Sequence, residues 1–72
     1  MSKWIVGLSA AAREEDIESI RIESEMMDGK MQFEAWAKLK GRNDLIDMLL
    51  AIEYTRKDMR ESLEIILNGK EL

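Results

Sequence analysis

Between residues 44 and 68, Leu45, Leu49, Ile52, Arg56, Met59, Leu63 and Ile66 follow one another at intervals of four and three. This spacing keeps one edge of a continuous helix apolar, with a single charge in the row. A second set, Ile46, Met48, Leu50, Ile65 and Leu67, makes that edge wider than the seam of a two-stranded coiled coil, so the helix is expected to touch more than one neighbour. At roughly 1.5 Å per residue such a helix would be about 37 Å long. For a chain of 72 residues this is a long rod. The rest of the chain must either cover it or leave it for a partner.

A single domain over 1–72 is expected. A chain near this size buries only about 60% of its unfolded surface, so its own core is marginal and self-association would reinforce it. Cysteine and histidine are both absent, which removes disulfides, thiolate metal sites and imidazole ligands. The uncharged run between Lys3 and Arg13 is too short to span a membrane, and with its weak basic flank it does not read as a cleaved signal, so a cytoplasmic protein is expected. The net charge of −4 lies wholly in the first 29 residues, where Lys3, Arg13 and Arg21 face seven acids, while the remainder balances. General attraction to nucleic acid or to anionic membrane is disfavoured by that total.

With no proline and four glycines, helices are expected to dominate, with breaks at the glycines. Ser2 or Ser9 can cap a first helix through Ala10, Ala11 and Ala12, and the spacing of Ile17, Ile20, Ser24 and Met27 continues it to about residue 27. Asp16 could instead start a separate helix. Asp28-Gly29-Lys30 marks a turn. A short helix follows over 31–40, ended by Gly41 with Lys38, Lys40 and Arg42 at its carbonyl end. Asn43 then caps the long helix, which Asn68 and Gly69 close; Thr55 with Asp58 three residues on could restart it and kink it near Tyr54. The expected fold is all-α, a helical bundle with two long antiparallel helices over about 4–27 and 44–68, a short helix over 31–40 crossing them, and a tendency to oligomerise.

The usual reactive constellations are missing. There is no histidine base, cysteine nucleophile, glycine-rich phosphate loop or Glu-x-x-His motif, and the stretch after Asp28 lacks the spaced oxygen ligands of a calcium loop. No enzyme activity, cofactor or metal is expected. Ala37 and Gly41 match the small residues of a helix-turn-helix, but the helix that would read bases offers Asp44, Leu45, Ile46, Asp47, Met48 and Leu49, acidic and apolar where Arg, Lys, Asn or Gln are needed.

The stretch 28–50 resembles part of an ankyrin repeat, with Asp28-Gly29-Lys30, Ala37, and Gly41 followed by Asp44, Leu45, Ile46, Leu49 and Leu50 standing where that family carries its equivalents. Met31-Gln32-Phe33-Glu34 replaces the family's Thr-Pro-Leu-His, one residue is inserted before Gly41, and the long hairpin between repeats is missing. The resemblance covers about a third of the chain and implies protein binding.

Two candidate surfaces emerge. Met26, Met27 and Met31, together with Leu49, Ile52, Arg56, Met59 and Leu63, form a candidate protein interface, in which Arg56 either pairs with an acid of a facing helix or reaches water from the edge. Lys38, Lys40, Arg42, Arg56, Lys57 and Arg60 form a candidate basic patch, for which helix-end complementarity and Glu53–Lys57 and Lys57–Glu61 pairing are the simpler account. The function expected is non-enzymatic protein binding, as a homodimer or higher oligomer, or as an inhibitor or adaptor docking an apolar helix face on a protein target. The alternative is a nucleic-acid-related role, either binding through the basic patch or mimicking DNA with the acidic first helix.

Overall fold

The computed structural model describes residues 3–41 and 47–71. The chain runs through β1 (Lys3–Val6), β2 (Ala11–Arg13), a 3₁₀ turn (Glu14–Asp16), β3 (Ile17–Met27), β4 (Lys30–Leu39), β5 (Met48–Glu53), α1 (Arg56–Leu67) and β6 (Lys70–Glu71). These strands form two antiparallel sheets, one ordered β2-β1-β6 and the other β3-β4-β5. The all-α three-helix bundle is overturned. Residues 4–27 hold three strands, residues 31–39 lie in β4 with Lys40 in the turn after it, and of the expected rod over 44–68 only Arg56–Leu67 is described as helix, preceded by β5. Residues 42–46, and with them the expected Asn43 cap, lie outside the described residues.

The reason is visible in β4. Met31, Phe33, Ala35, Ala37 and Leu39 alternate with Lys30, Gln32, Glu34, Trp36 and Lys38, and a period of two puts each set on its own face of a strand. The apolar set shares the face turned to the core, where Ala35 and Ala37 are completely buried, while Met31 at the hairpin end stays exposed. Asp28 and Gly29 adopt φ of 52° and 77°, the two positive values of a type I′ hairpin turn, so β3 folds straight back onto β4 with Met27 opposite Lys30 and Met26 opposite Met31. The ankyrin-like and helix-turn-helix readings fall with the helices they required, because Ala37 sits inside a strand.

β5 joins the other side of β4, and a register shift between Ala35 and Trp36 leaves Leu50 without a partner there. The two sheets are fastened by residues 7–9, which lie along the outer side of β5. The amide of Leu8 donates to the Leu49 carbonyl at 2.9 Å, and the Leu49 amide donates to Ser9 Oγ at 3.0 Å. Gly7 makes this approach feasible: a Cβ there would stand 2.6 Å from the Leu49 carbonyl oxygen. Ile5 and Ala12 of the first sheet meet Ala35, Ala37, Met48, Leu50 and Ala51 of the second and Met59 of α1 in one apolar cluster.

α1 starts at Thr55, whose backbone is extended and whose Oγ1 accepts the Asp58 amide at 3.0 Å. Met59, Leu63 and Ile66 turn one helix face onto the core, and Ser62 Oγ donates to Glu53 Oε2 at 2.8 Å, tying the helix to the end of β5. The helix therefore lies mainly over β5. β3, the far strand of the sheet, is left largely uncovered.

Candidate binding groove

Between α1 and the uncovered part of the sheet lies an open groove of about 720 Å³. Its floor is Phe33 of β4 with Ile22 and Ser24 of β3; Met59, Leu63 and Leu67 of α1 form the apolar wall; Arg56, Arg60 and Glu64 stand at the rim. Strand alternation produces the floor, since Phe33 and Ser24 are cross-strand partners and Ile22 lies two residues along on the same face. Helical spacing produces the wall, because Met59, Leu63 and Leu67 are four residues apart. The same sheet face continues past the groove through Ile20, Met26 and Met31, whose exposures are 36%, 63% and 42%, with Ile22 itself at 53%.

The opposite face of the hairpin is polar. Arg21 Nη1 binds Asp47 Oδ2 at 2.6 Å, its Nε stands 3.6 Å from Glu23, and its guanidinium lies 5.7 Å from the ring centre of Trp36, its cross-strand partner. The Asp47 hydrogen bond raises the Arg21 pKa, opposed by desolvation and aided by the charges of Asp47 and Glu23. On the alkaline side, a raised basic pKa gives stability that is lost only as pH rises through the folded value, so this exposed contact persists until strongly alkaline pH. The Trp36 indole nitrogen is buried with no hydrogen-bond partner among the described residues.

The structure divides the candidate interface residues among four places. Arg56, Met59 and Leu63 line the groove. Met26 and Met31 pair at the hairpin tip on the groove side, whereas Met27 lines a second hollow of about 630 Å³ with Asp28, Lys30, Gln32 and Tyr54. Leu49 and Ile52 are half-buried in β5, opposite Trp36 and Glu34, on the face away from the helix. The candidate basic patch is also divided: Lys38 pairs with Glu18 at 3.5 Å on the polar face of β4, Lys40 follows that strand, Arg42 lies outside the described residues, and Arg56, Lys57 and Arg60 belong to α1. Ile22, Ser24, Phe33, Glu64 and Leu67 enter the groove without having been read as site residues; the alternation on either side of Asp28-Gly29 is the signal that points to the first three.

Among the described residues no three Asp or Glu side chains gather as a metal site, and no helix is long and apolar enough to cross a membrane. The fold and groove define a small α+β domain in which α1, the one α-helix among the described residues, covers part of one antiparallel sheet. No protein-family model matches the chain, and no curated protein or solved structure matches it.

Proposed function

We propose that the chain is a small, non-enzymatic, cytoplasmic protein-binding module that receives an apolar segment of a protein partner in the groove beside α1. The observation that supports this reading is the placement of Phe33, Ile22, Leu63 and Leu67 around one open groove, on a sheet face whose isoleucines and methionines remain in water. Contiguous apolar surface of this kind, rimmed by charge, is characteristic of interaction sites. Arg56 and Arg60 add a cationic rim that favours a partner segment carrying carboxylates beside its apolar residues. The groove replaces the apolar helix face of the earlier expectation as the docking surface, and an inhibitor or adaptor role is compatible with it.

The test is a photo-crosslinking amino acid placed at Leu67, at the end of the groove wall, in cells that make the protein. The expected result is a discrete protein adduct that is lost on Ile22→Glu, a substitution at a solvent-facing position that leaves the core untouched. An adduct pattern indistinguishable from that of a crosslinker at Leu8, which is 65% exposed on the loop between β1 and β2, would overturn the proposal.

A further inference from the structure

We infer that the second copy of this chain is a partner, added edge to edge along β3 in antiparallel register with Ile22 on the two-fold axis. The inference rests on the protein-binding reading and adds a second contact, at the sheet edge beside the groove. β3 is an outer strand of eleven residues, and its only register irregularity lies between Ile17 and Ser19. From Ser19 to Met27 it carries no proline, bulge or lysine, three of the devices that block an edge against pairing, and its charges, Arg21, Glu23 and Glu25, are of both signs and can be matched by a second strand.

The hairpin geometry determines which backbone groups are available. In a two-residue turn the closing pair, Met27 and Lys30, exchanges its hydrogen bonds inward, so Glu25, Glu23 and Arg21 also bond towards β4. The amides and carbonyls of Met26, Ser24, Ile22 and Ile20 therefore point away from β4, to an edge that no described strand covers. These same residues carry the apolar side chains of the groove face, apart from Ser24.

Charge then selects the register. A two-fold axis perpendicular to the sheet keeps like faces together, so the axis passes through a residue of β3 and its own copy. An axis at Arg21 sets Arg21 against Arg21, an axis at Glu23 sets Glu23 against Glu23, and an axis at Ser24 sets Glu23 against Glu25. With the axis at Ile22, Arg21 faces Glu23 of the second copy, twice by symmetry, and Ser19 faces Glu25. Opposite charges directly across a strand pair stabilise it and like charges do the reverse. Arg21 uses Nη1 on Asp47 and leaves guanidinium donors for the second carboxylate. On the groove face Ile22 meets its own copy and Ile20 meets Ser24, and the two grooves come to lie side by side across the axis.

The experiment uses the full chain, which has no cysteine of its own. Sedimentation velocity across a concentration series is expected to show a monomer–dimer equilibrium. Glu23→Arg should weaken the dimer about tenfold, since it sets like charges opposite each other at two symmetric places. The double variant Arg21→Glu with Glu23→Arg should restore it, which a merely damaged fold would not. Under mild oxidation Ile22→Cys should crosslink to itself, with Cα atoms about 5.5 Å apart in a narrow pair. Ile20→Cys and Ser24→Cys should each fail to self-crosslink and should crosslink when mixed. A chain that sediments as a monomer at every concentration, or self-crosslinking of Ile20→Cys or Ser24→Cys as efficient as that of Ile22→Cys, overturns the inference. In the Leu67 crosslinking experiment, an adduct with a different protein alongside strict monomers overturns self-pairing and leaves the module reading standing, whereas no specific adduct removes that reading.

Discussion

The two halves of the β3-β4-β5 sheet share one apolar face and treat it in opposite ways. Under α1, the buried positions of β4 and its pairing with β5 are mostly small: Ala35, Ala37 and Ala51. Beyond the helix, the same face presents Ile20, Ile22, Met26 and Met31 to solvent. Small side chains let a helix sit close to a sheet, which explains the first group. The second group is the reverse of what a solitary chain gains from burial, because a fully buried isoleucine contributes about 1.5–3 kcal/mol and an alanine much less. Two jobs have thus been separated on a single surface. The alanine half sets the distance of the helix, and the isoleucine half stays open to solvent.

Four substitutions probe that contrast. Leu50→Ala should cost most, about 2–5 kcal/mol, because Leu50 is 1% exposed and its removal leaves a cavity between the two sheets; chemical unfolding measures it. Gly7→Ala comes next, at roughly 1–3 kcal/mol, since the added methyl must push the loop off the Leu49 carbonyl; hydrogen exchange of the Leu8 amide should speed up with it. Thr55→Ala removes the cap of α1 and should cost about 1 kcal/mol by thermal or urea unfolding. Ile22→Thr, on the uncovered half, should change the stability of the monomer by less than about 0.5 kcal/mol when unfolding is followed in dilute solution. If Ile22→Thr proved as costly as Leu50→Ala under those conditions, the two halves would not differ as described.

The punctuation of the chain was legible before its elements were. Asp28-Gly29 is the turn, Gly41 follows the end of β4, Thr55 caps a helix through Asp58, and Asn68 and Gly69 close it. The apolar row places Arg56, Met59 and Leu63 on one surface, and all three line the groove. What failed was the step between apolar residues. Met31, Ala35 and Leu39 stand four apart, which suits a helix, but four is twice two, and Phe33 and Ala37 fill the gaps of a strand. In β3, Ile17, Ile20, Ser24 and Met27 fit a helix while Ile20, Ile22, Ser24 and Met26 fit a strand, and pairing with β4 settled the choice. Ala11 and Ala12, strong helix formers, lie in β2 because pairing with β1 outweighs their propensity. The row from Leu49 to Ile66 was continuous only on paper. It passes from a strand into a helix at Tyr54 and Thr55, so Leu49 and Ile52 part from Met59 and Leu63.

The loop held against β5 by Gly7 also limits what can be built from this sheet. The outward amide and carbonyl of Leu49 are both occupied by residues 8 and 9, so that flank offers no template where the loop lies. Strand addition at Leu49 is thereby blocked, and two chains joined along β3 would carry this same blocked position at each outer margin. A block of this kind works against elongation into a fibril.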